Sequence, residues 1–220
     1  AGHLVVQWLA TPRKEFVGEN APPGAGKATL HTLDIPLWLT CRDRALRGMI
    51  GSASQTLANS YLFRLANNLT MTTPVLAEDD DRELGLAVDA EATLIGDYGV
   101  FRVPGGLWSA QKLVVAQHDE RLVTQKEATW TAGGLFTNFI GGRYRVNLWD
   151  DSVDEADFLT LESTEKIQRR WDKVAEKRCE PAGLVRLQGQ RLTPDDLYKY
   201  NLGKKAGESD AHDHECCEAE

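Results

Sequence analysis

The chain has 220 residues, of which 42% are hydrophobic, and a formal net charge of -8. This apolar content is enough to bury a core. No apolar run approaches the roughly 18 residues that a membrane span needs, and the first residues lack the basic and apolar regions of a signal peptide. We therefore expect a cytoplasmic protein without membrane partners. The four cysteines are too few and too scattered for a disulfide framework.

The negative charge is concentrated at the end of the chain. Residues 206–220 contain six acids and no Lys or Arg, so they account for six of the eight net negative charges. The remaining body is nearly neutral, which allows local basic patches but lacks the strongly basic character of a free-standing DNA-binding domain. We predict one α+β domain over residues 1–203, with hairpin insertions around 84–149, and an acidic tail containing His and Cys over 204–220.

The first elements in chain order are two strands and a long helix. Residues 4–11 are apolar and end at Pro12, which is typical of a buried strand. Residues 30–40 alternate in polarity and predict a second strand, which Pro36 breaks or sets at a sheet edge. Apolar residues at three- and four-residue steps predict a helix from about Arg42 to about Asn67.

The second half predicts mainly short strands, and hence a mainly antiparallel sheet. Turn residues separate the strand-like runs, which cover 84–88, 93–95, 99–103, 107–116, 122–131, 143–149 and 158–161. A helix capped by Ser163 or Thr164 follows, then a short strand over 184–187 and a helix start at Thr193.

The segment from Ala21 to Thr29, APPGAGKAT, imitates a phosphate-binding P-loop. Ala21 replaces the first Gly of that motif, and Ala28 replaces the hydroxyl residue that binds magnesium. The loop is also predicted to lead into a strand, and no convincing acidic strand follows. These departures disfavour an NTPase.

Arginines at the predicted helix start offer a different anion site. Arg42, Arg44 and Arg47 would add guanidinium groups to the free N–H groups of the first turn. Intramolecular pairing with Asp34, Asp43 or the acidic loop at 78–81 explains the same charges equally well.

Two glycine pairs, at 133–134 and 141–142, flank an apolar segment that contains Phe136 and Phe139. Arg143 and Arg145 follow it. The segment is either a projecting hairpin that contacts bases and phosphates or an ordinary buried hairpin.

Catalytic and metal motifs are sparse. The tail residues His212, His214, Cys216 and Cys217 are chemically suited to zinc, nickel or copper, but a disordered acidic tail is the favoured interpretation. We therefore predict no cofactor.

Between Leu4 and Gly48, the order of features resembles the RAMP proteins of CRISPR effector complexes, especially their backbone subunits. The resemblance lies in a strand ending at Thr11-Pro12, a glycine-rich loop, Asp34-Ile35-Pro36 and Leu46-Arg47-Gly48. It implies a ferredoxin-like, RNA-recognition-type antiparallel sheet with a long helix after the second strand and inserted hairpins. It also implies that Arg42, Arg44 and Arg47 hold guide-RNA phosphates, that Gly24, Gly26 and Lys27 approach the strand, and that Phe136 and Phe139 form a thumb.

The resulting hypothesis is a non-catalytic RNA-binding subunit of a ribonucleoprotein in antiviral defence. Its expected partners are single-stranded RNA, other subunits and copies of itself. In some RAMP branches an early Asp cleaves RNA, which makes Asp34 the candidate if the protein is an enzyme. The alternatives are a β-rich assembly protein of a phage or secretion apparatus and a metal-handling protein that uses the tail.

Overall fold

The computed structural model describes residues 15–22, 24–72, 93–117, 128–137, 142–153, 160–173, 177–190 and 196–201. The strands predicted at 4–11 and 84–88 and the tail from residue 204 lie outside these ranges. No helix of the described ranges is long and apolar enough to cross a bilayer.

The described residues form a six-stranded sheet of order β1-β6-β5-β2-β4-β3. Its strands are β1 (Glu15–Asn20), β2 (Gly48–Ser52), β3 (Lys112–Leu113), β4 (Trp130–Gly134), β5 (Tyr144–Asp150) and β6 (Cys179–Gly189). All neighbours in this order are parallel except β3 and β4. The mixture of helices and strands is confirmed, but the antiparallel ferredoxin-like sheet is wrong.

In chain order, helices lie between β1 and β2, between β2 and β3, and between β5 and β6. Helix α1 consists of three contiguous pieces: an α-helical turn at Lys27–Thr29, a π-helical stretch at Leu30–Asp34 and an α-helical stretch at Ile35–Arg42. Helix α2 is Gln55–Thr70, α3 is Leu94–Tyr98 and α4 is Leu161–Trp171. Residues 197–201 form a further helical turn. A long helix does follow the second strand, as expected.

Apolar side chains cover both faces of the sheet. Leu39 of α1 and Leu62 of α2 pack on one face with Val146 and Leu148 of β5. On the other face, Trp171 of α4 packs among residues that include Trp149, Val185, Leu187, Leu197 and Tyr198. Strands of a parallel sheet are buried on both faces, so strict alternation of apolar and polar residues is not required of them.

The strand predicted over residues 30–40 is wrong, because this stretch belongs to α1. Pro36 lacks an N–H group and would clash with the carbonyl of Thr32 in a regular α-helix. The π-helical turn lies immediately before it, and the N–H of Ile35 donates to the carbonyl of Leu30 instead. The wider turn accommodates Pro36 inside a helix, where the sequence pattern predicts a strand.

The helix predicted from Arg42 is also wrong at its start. Residues 48–52 form β2, and α2 begins at Gln55, where the Ser54 side chain accepts from the N–H of Leu57 at 3.2 Å. A Cβ on Gly48 or Gly51 would lie 2.2 Å from the ring of Trp130 or Trp149. Glycine in β2 therefore lets two buried indoles lie against the strand.

Several predicted elements of the second half are confirmed. Strand β5 and the strand around residue 185 are present, and α4 begins two residues before Ser163, where Thr160 and Ser163 form a capping box. By contrast, residues 94–98 are helical, and the stretch from 99 to 116 contributes only short pairings, namely β3 and two isolated bridges.

Candidate functional site

The carboxyl ends of β1, β6 and β5 meet at one edge of the sheet, because these strands are parallel neighbours. In open α/β sheets, ligands bind in the crevice outside this edge. Strand β1 ends at Asn20, β6 at Gly189 and β5 at Asp150. The residues that follow these three strand ends form the candidate site.

The loop after β1 leads directly into α1. The N–H of Ala21 donates to the carbonyl of Gly189 at 3.2 Å, which fixes the loop against β6. Gly24 and Gly26 have positive φ angles of 82° and 70°. Gly26 is the N-terminal cap of α1 and forms no side-chain cap bond. The first turn of α1 thus has the uncapped N–H groups and positive dipole end that bind anions.

Lys27 is the first residue of α1, and its side chain folds back over the loop. Its Nζ donates to the carbonyl of Ala21 at 3.4 Å and lies 3.5 Å from Oδ1 of Asp151. A lysine at this position carries its charge to the space in front of the loop.

Two carboxylates stand where β5 ends. Asp151 has a positive φ of 41°, which Asp tolerates better than most residues. Its N–H donates to the carbonyl of Gln188 at 3.2 Å, and its carbonyl accepts from the N–H of Ala53 at 3.1 Å. These bonds hold the turn between the ends of β6 and β2.

The carboxyl of Asp150 is fully buried, and no hydrogen bond of regular geometry reaches its oxygens among the described residues, although the Tyr61 and Gln188 side chains lie close enough to favour its charged form. Burial and the neighbouring charge of Asp151 raise its pKa, although the nearby Tyr61 and Gln188 side chains act in the opposite direction. Uncompensated buried carboxyl groups are costly, and they occur where an ion or ligand is bound.

Gln188 lies at the end of the strand between the loop and the carboxylates. Its Nε2 donates to the carbonyl of Lys27 at 3.3 Å, and its own carbonyl accepts from the Tyr198 hydroxyl at 2.9 Å. Strand β6 therefore contacts both the start of α1 and the turn that holds Asp151.

These contacts correct two of the reasons that disfavoured a P-loop. A helix, not a strand, follows Gly26-Lys27, and β5 is an acidic strand that ends beside the loop. The other two departures remain, because Ala21 stands at the first glycine position and Ala28 at the hydroxyl position. The loop residues predicted to approach RNA, namely Gly24, Gly26 and Lys27, do lie together.

The three arginines do not form one exposed row. Arg47 pairs with Glu180, and Arg42 lies exposed with its guanidinium 5.7 Å from the centre of the Trp38 ring. Arg44 is buried, stacks 4.2 Å above the centre of the Phe101 ring, and donates to the carbonyls of Tyr98, Gly99, Val100 and Ala116. Arg44 and Arg47 thus have intramolecular partners, and RNA binding by Arg42, Arg44 and Arg47 stays a prediction.

Strands β4 and β5, which flank the predicted thumb, do not pair with each other, because they lie on opposite sides of β2 and both run parallel to it. Residues 138–141 lie outside the described residues, and contact of the thumb with RNA stays a prediction. Phe136 is exposed, with Nζ of Lys166 5.7 Å from its ring centre. Arg143 is exposed and Arg145 is half-buried, while Phe139 lies outside the described residues.

Asp34 is exposed, two helical turns beyond Lys27 on α1. His212, His214, Cys216 and Cys217 lie outside the described residues. Among the described residues, no group of three or more His, Cys, Asp or Glu side chains could hold a metal ion by itself.

Sequence reasoning missed Asp150, Asp151 and Gln188. The available signal was the strand-like stretch Val146–Asp151, which ends in two acids downstream of Gly-Ala-Gly-Lys. No protein-family model matches the chain, and no curated protein matches it. The candidate site therefore rests on its geometry.

Proposed function

We propose that the protein binds a nucleoside triphosphate with Mg²⁺ and hydrolyses its terminal phosphate. One observation carries this proposal: the lysine at a glycine-rich strand-to-helix junction contacts the acidic end of a second parallel strand. This combination is the structural context that a P-loop sequence needs in order to be credible.

The loop and α1 supply the phosphate site. Left-handed Gly24 and Gly26 let the backbone turn without side-chain strain, and the uncapped helix start directs N–H groups towards an anion. Lys27 adds a mobile positive charge for the β- and γ-phosphates. Its current partners are one carbonyl and one partly exposed carboxylate, both of which a phosphate can replace.

The donor set fits Mg²⁺ in part. Asp150 offers a buried carboxyl that receives no hydrogen bond of regular geometry from the described residues, which suits a hard cation that keeps several waters and binds few protein groups. Ala28 offers no hydroxyl ligand. When bound, the ion would neutralise charge on the phosphate oxygens.

Asp151 is the candidate general base. Its side chain is 46% exposed, so water can reach it, and it stands beside Lys27 at the mouth of the site. The neighbouring bonds to β6 and β2 fix its backbone, which limits the positions that its carboxylate can adopt.

The test is phosphate release from ATP and from GTP by the purified protein, with and without EDTA. The proposal predicts Mg²⁺-dependent release by the wild type and none by Asp151→Asn, which keeps the phosphate site and should still bind nucleotide. Absence of Mg²⁺-dependent release with both nucleotides would contradict hydrolysis.

RNA binding, assembly of a phage or secretion apparatus, and metal handling by the tail stay predictions. Steeply salt-dependent binding of single-stranded RNA by the wild type, lost in Arg42→Ala together with Arg47→Ala, would support the first. RNA binding that survives this double substitution would instead remove these arginines from the interface.

A further inference from the structure

A half-buried carboxylate on β1, the strand that precedes the phosphate loop, contacts two other elements. Oε2 of Glu19, on β1, lies 2.6 Å from Nε2 of His31 on α1. Its Oε1 accepts a hydrogen bond from Nη2 of Arg186 on β6. Glu19, His31 and Arg186 are called the loop clamp below.

The three residues of the loop clamp are placed at both ends of the loop. Glu19 lies two residues before Ala21, where the loop begins, and His31 lies about one helical turn beyond Lys27, where it ends. Arg186 lies two residues before Gln188 on the strand that separates β1 from β5. The Glu19 carboxylate thus connects β1, which precedes the loop, with α1, which follows it, and with β6.

The loop clamp is a costly way to fill this space. The side chains of His31 and Arg186 are only 4% and 2% exposed, that of Glu19 is 27% exposed, and burial lowers the pKa of Arg186. Burial by itself would raise the pKa of Glu19, but the hydrogen bond from His31 and the charge of Arg186 outweigh it and lower the pKa. Apolar residues of similar volume often stabilise such a site more, so orientation is the better explanation for buried charges here.

We infer that Glu19 is a positioning residue that holds both ends of the phosphate loop in their nucleotide-binding arrangement and thereby sets nucleotide affinity. The inference rests on the proposed function. A loop that is already ordered loses less conformational freedom when nucleotide binds, so the loop clamp tightens binding without touching the ligand.

The experiment compares Glu19→Gln with Glu15→Gln. Glu15 lies on the same strand and also acts electrostatically on Arg186, but it is four residues further from the loop. The dissociation constant of AMP-PNP in the presence of Mg²⁺ is measured for each variant well below its melting temperature. We expect Glu19→Gln to weaken binding roughly tenfold and to raise KM with kcat little changed, while Glu15→Gln stays close to the wild type.

Substitution of His31 keeps the test decisive if Glu19→Gln does not fold. His31→Leu removes only the contact between Glu19 and α1 and leaves the Arg186–Glu19 pair intact, whereas His31→Gln retains an N–H donor. The inference predicts weaker binding for His31→Leu and recovery of most of the affinity in His31→Gln.

The outcomes separate the inference from the proposed function. Wild-type protein that binds neither AMP-PNP nor its guanosine counterpart contradicts the proposed function. If the wild-type protein binds nucleotide and Glu19→Gln retains full affinity, the loop clamp alone is contradicted. If Glu19→Gln does not fold, full affinity of His31→Leu has the same meaning. In that case Glu19, His31 and Arg186 are an ordinary cluster of charged side chains whose loss changes only the melting temperature.

Discussion

Lys27 and Asp151 face each other across the end of β6, with 3.5 Å between Nζ and Oδ1. The lysine is largely buried and the aspartate is half exposed, so water screens the pair and its contribution to stability is small. A triphosphate would offer Lys27 a stronger partner and release Asp151 to orient water. The pair therefore links phosphate binding to the position of the candidate base.

Replacing Lys27 by Met should abolish tight nucleotide binding. Loss of a hydrogen bond from a charged group typically costs about 1.5–3 kcal/mol, so we expect the dissociation constant of AMP-PNP to rise roughly 10- to 150-fold. Lys112→Met, on the exposed edge strand β3, is the matched control. Equal affinities of Lys27→Met and the control would remove Lys27 from the site.

Asp150→Asn should stabilise the nucleotide-free protein while it abolishes hydrolysis. The substitution keeps the shape of a buried carboxyl that receives no hydrogen bond of regular geometry from the described residues, and it removes the charge. Relief of about 1 kcal/mol would raise the melting temperature by about 2–4 °C in a chain of this size. Calorimetry and phosphate release measure the two effects, and a lower melting temperature would show that the Asp150 charge is compensated.

The same residue predicts a pH dependence. Because the pKa of Asp150 is raised, the folded protein holds this proton more tightly than the unfolded chain does. The contribution of Asp150 to stability should therefore fall as pH rises from its ordinary pKa of about 3.9 through the raised value. The stability advantage of Asp150→Asn should grow over that interval in urea titrations, and a constant difference would argue against the shift.

Gly26→Ala and Gly105→Ala should cost similar stability but differ in function. Both glycines have positive φ, 70° and 74°, and a Cβ on either would meet no atom within 4 Å. Each Ala should destabilise the fold by about 1–2 kcal/mol through backbone strain. Only Gly26→Ala should weaken AMP-PNP binding, because only that strain falls at the start of α1. Similar binding by the two variants would show that the loop conformation does not matter for nucleotide.

Ala28→Ser should reduce the Mg²⁺ concentration needed for nucleotide binding. The substitution adds a hydroxyl at the position where P-loops carry a metal ligand. Ala25→Ser, in the exposed loop, is the control. Titration of Mg²⁺ at fixed AMP-PNP gives the half-saturating concentration, and Mn²⁺ binding followed by electron paramagnetic resonance is an independent readout. An unchanged Mg²⁺ requirement would indicate that residue 28 does not face the ion.

Local signals predicted those elements that local interactions determine. Strand β5 contains the apolar residues Val146, Leu148 and Trp149, and α4 has Ile167 and Trp171 on one face, although its cap is Thr160 and not Ser163 or Thr164. Helix α1 was missed because Pro36 ordinarily excludes a helix interior, and the π-helical turn that accommodates it has no simple sequence pattern.

The parallel sheet and the site could not be predicted in the same way. Register partners such as Gly48 and Val146, or Val17 and Arg186, are far apart in sequence, and the helices between them determine the pairing. The Gly26-Lys27 motif is present in the sequence, but it indicates a nucleotide site only when a helix follows it and an acidic strand lies beside it. The helix is α1, and the acidic strand is β5, which only β6 separates from β1.

Calorimetric titration of the wild-type protein with AMP-PNP in the presence of Mg²⁺ tests the central claim most directly. We expect saturable binding of one nucleotide per chain, with a dissociation constant that rises roughly 10- to 150-fold in Lys27→Met and is unchanged in Lys112→Met. Absence of binding by the folded wild-type protein, with either AMP-PNP or its guanosine counterpart, would contradict it.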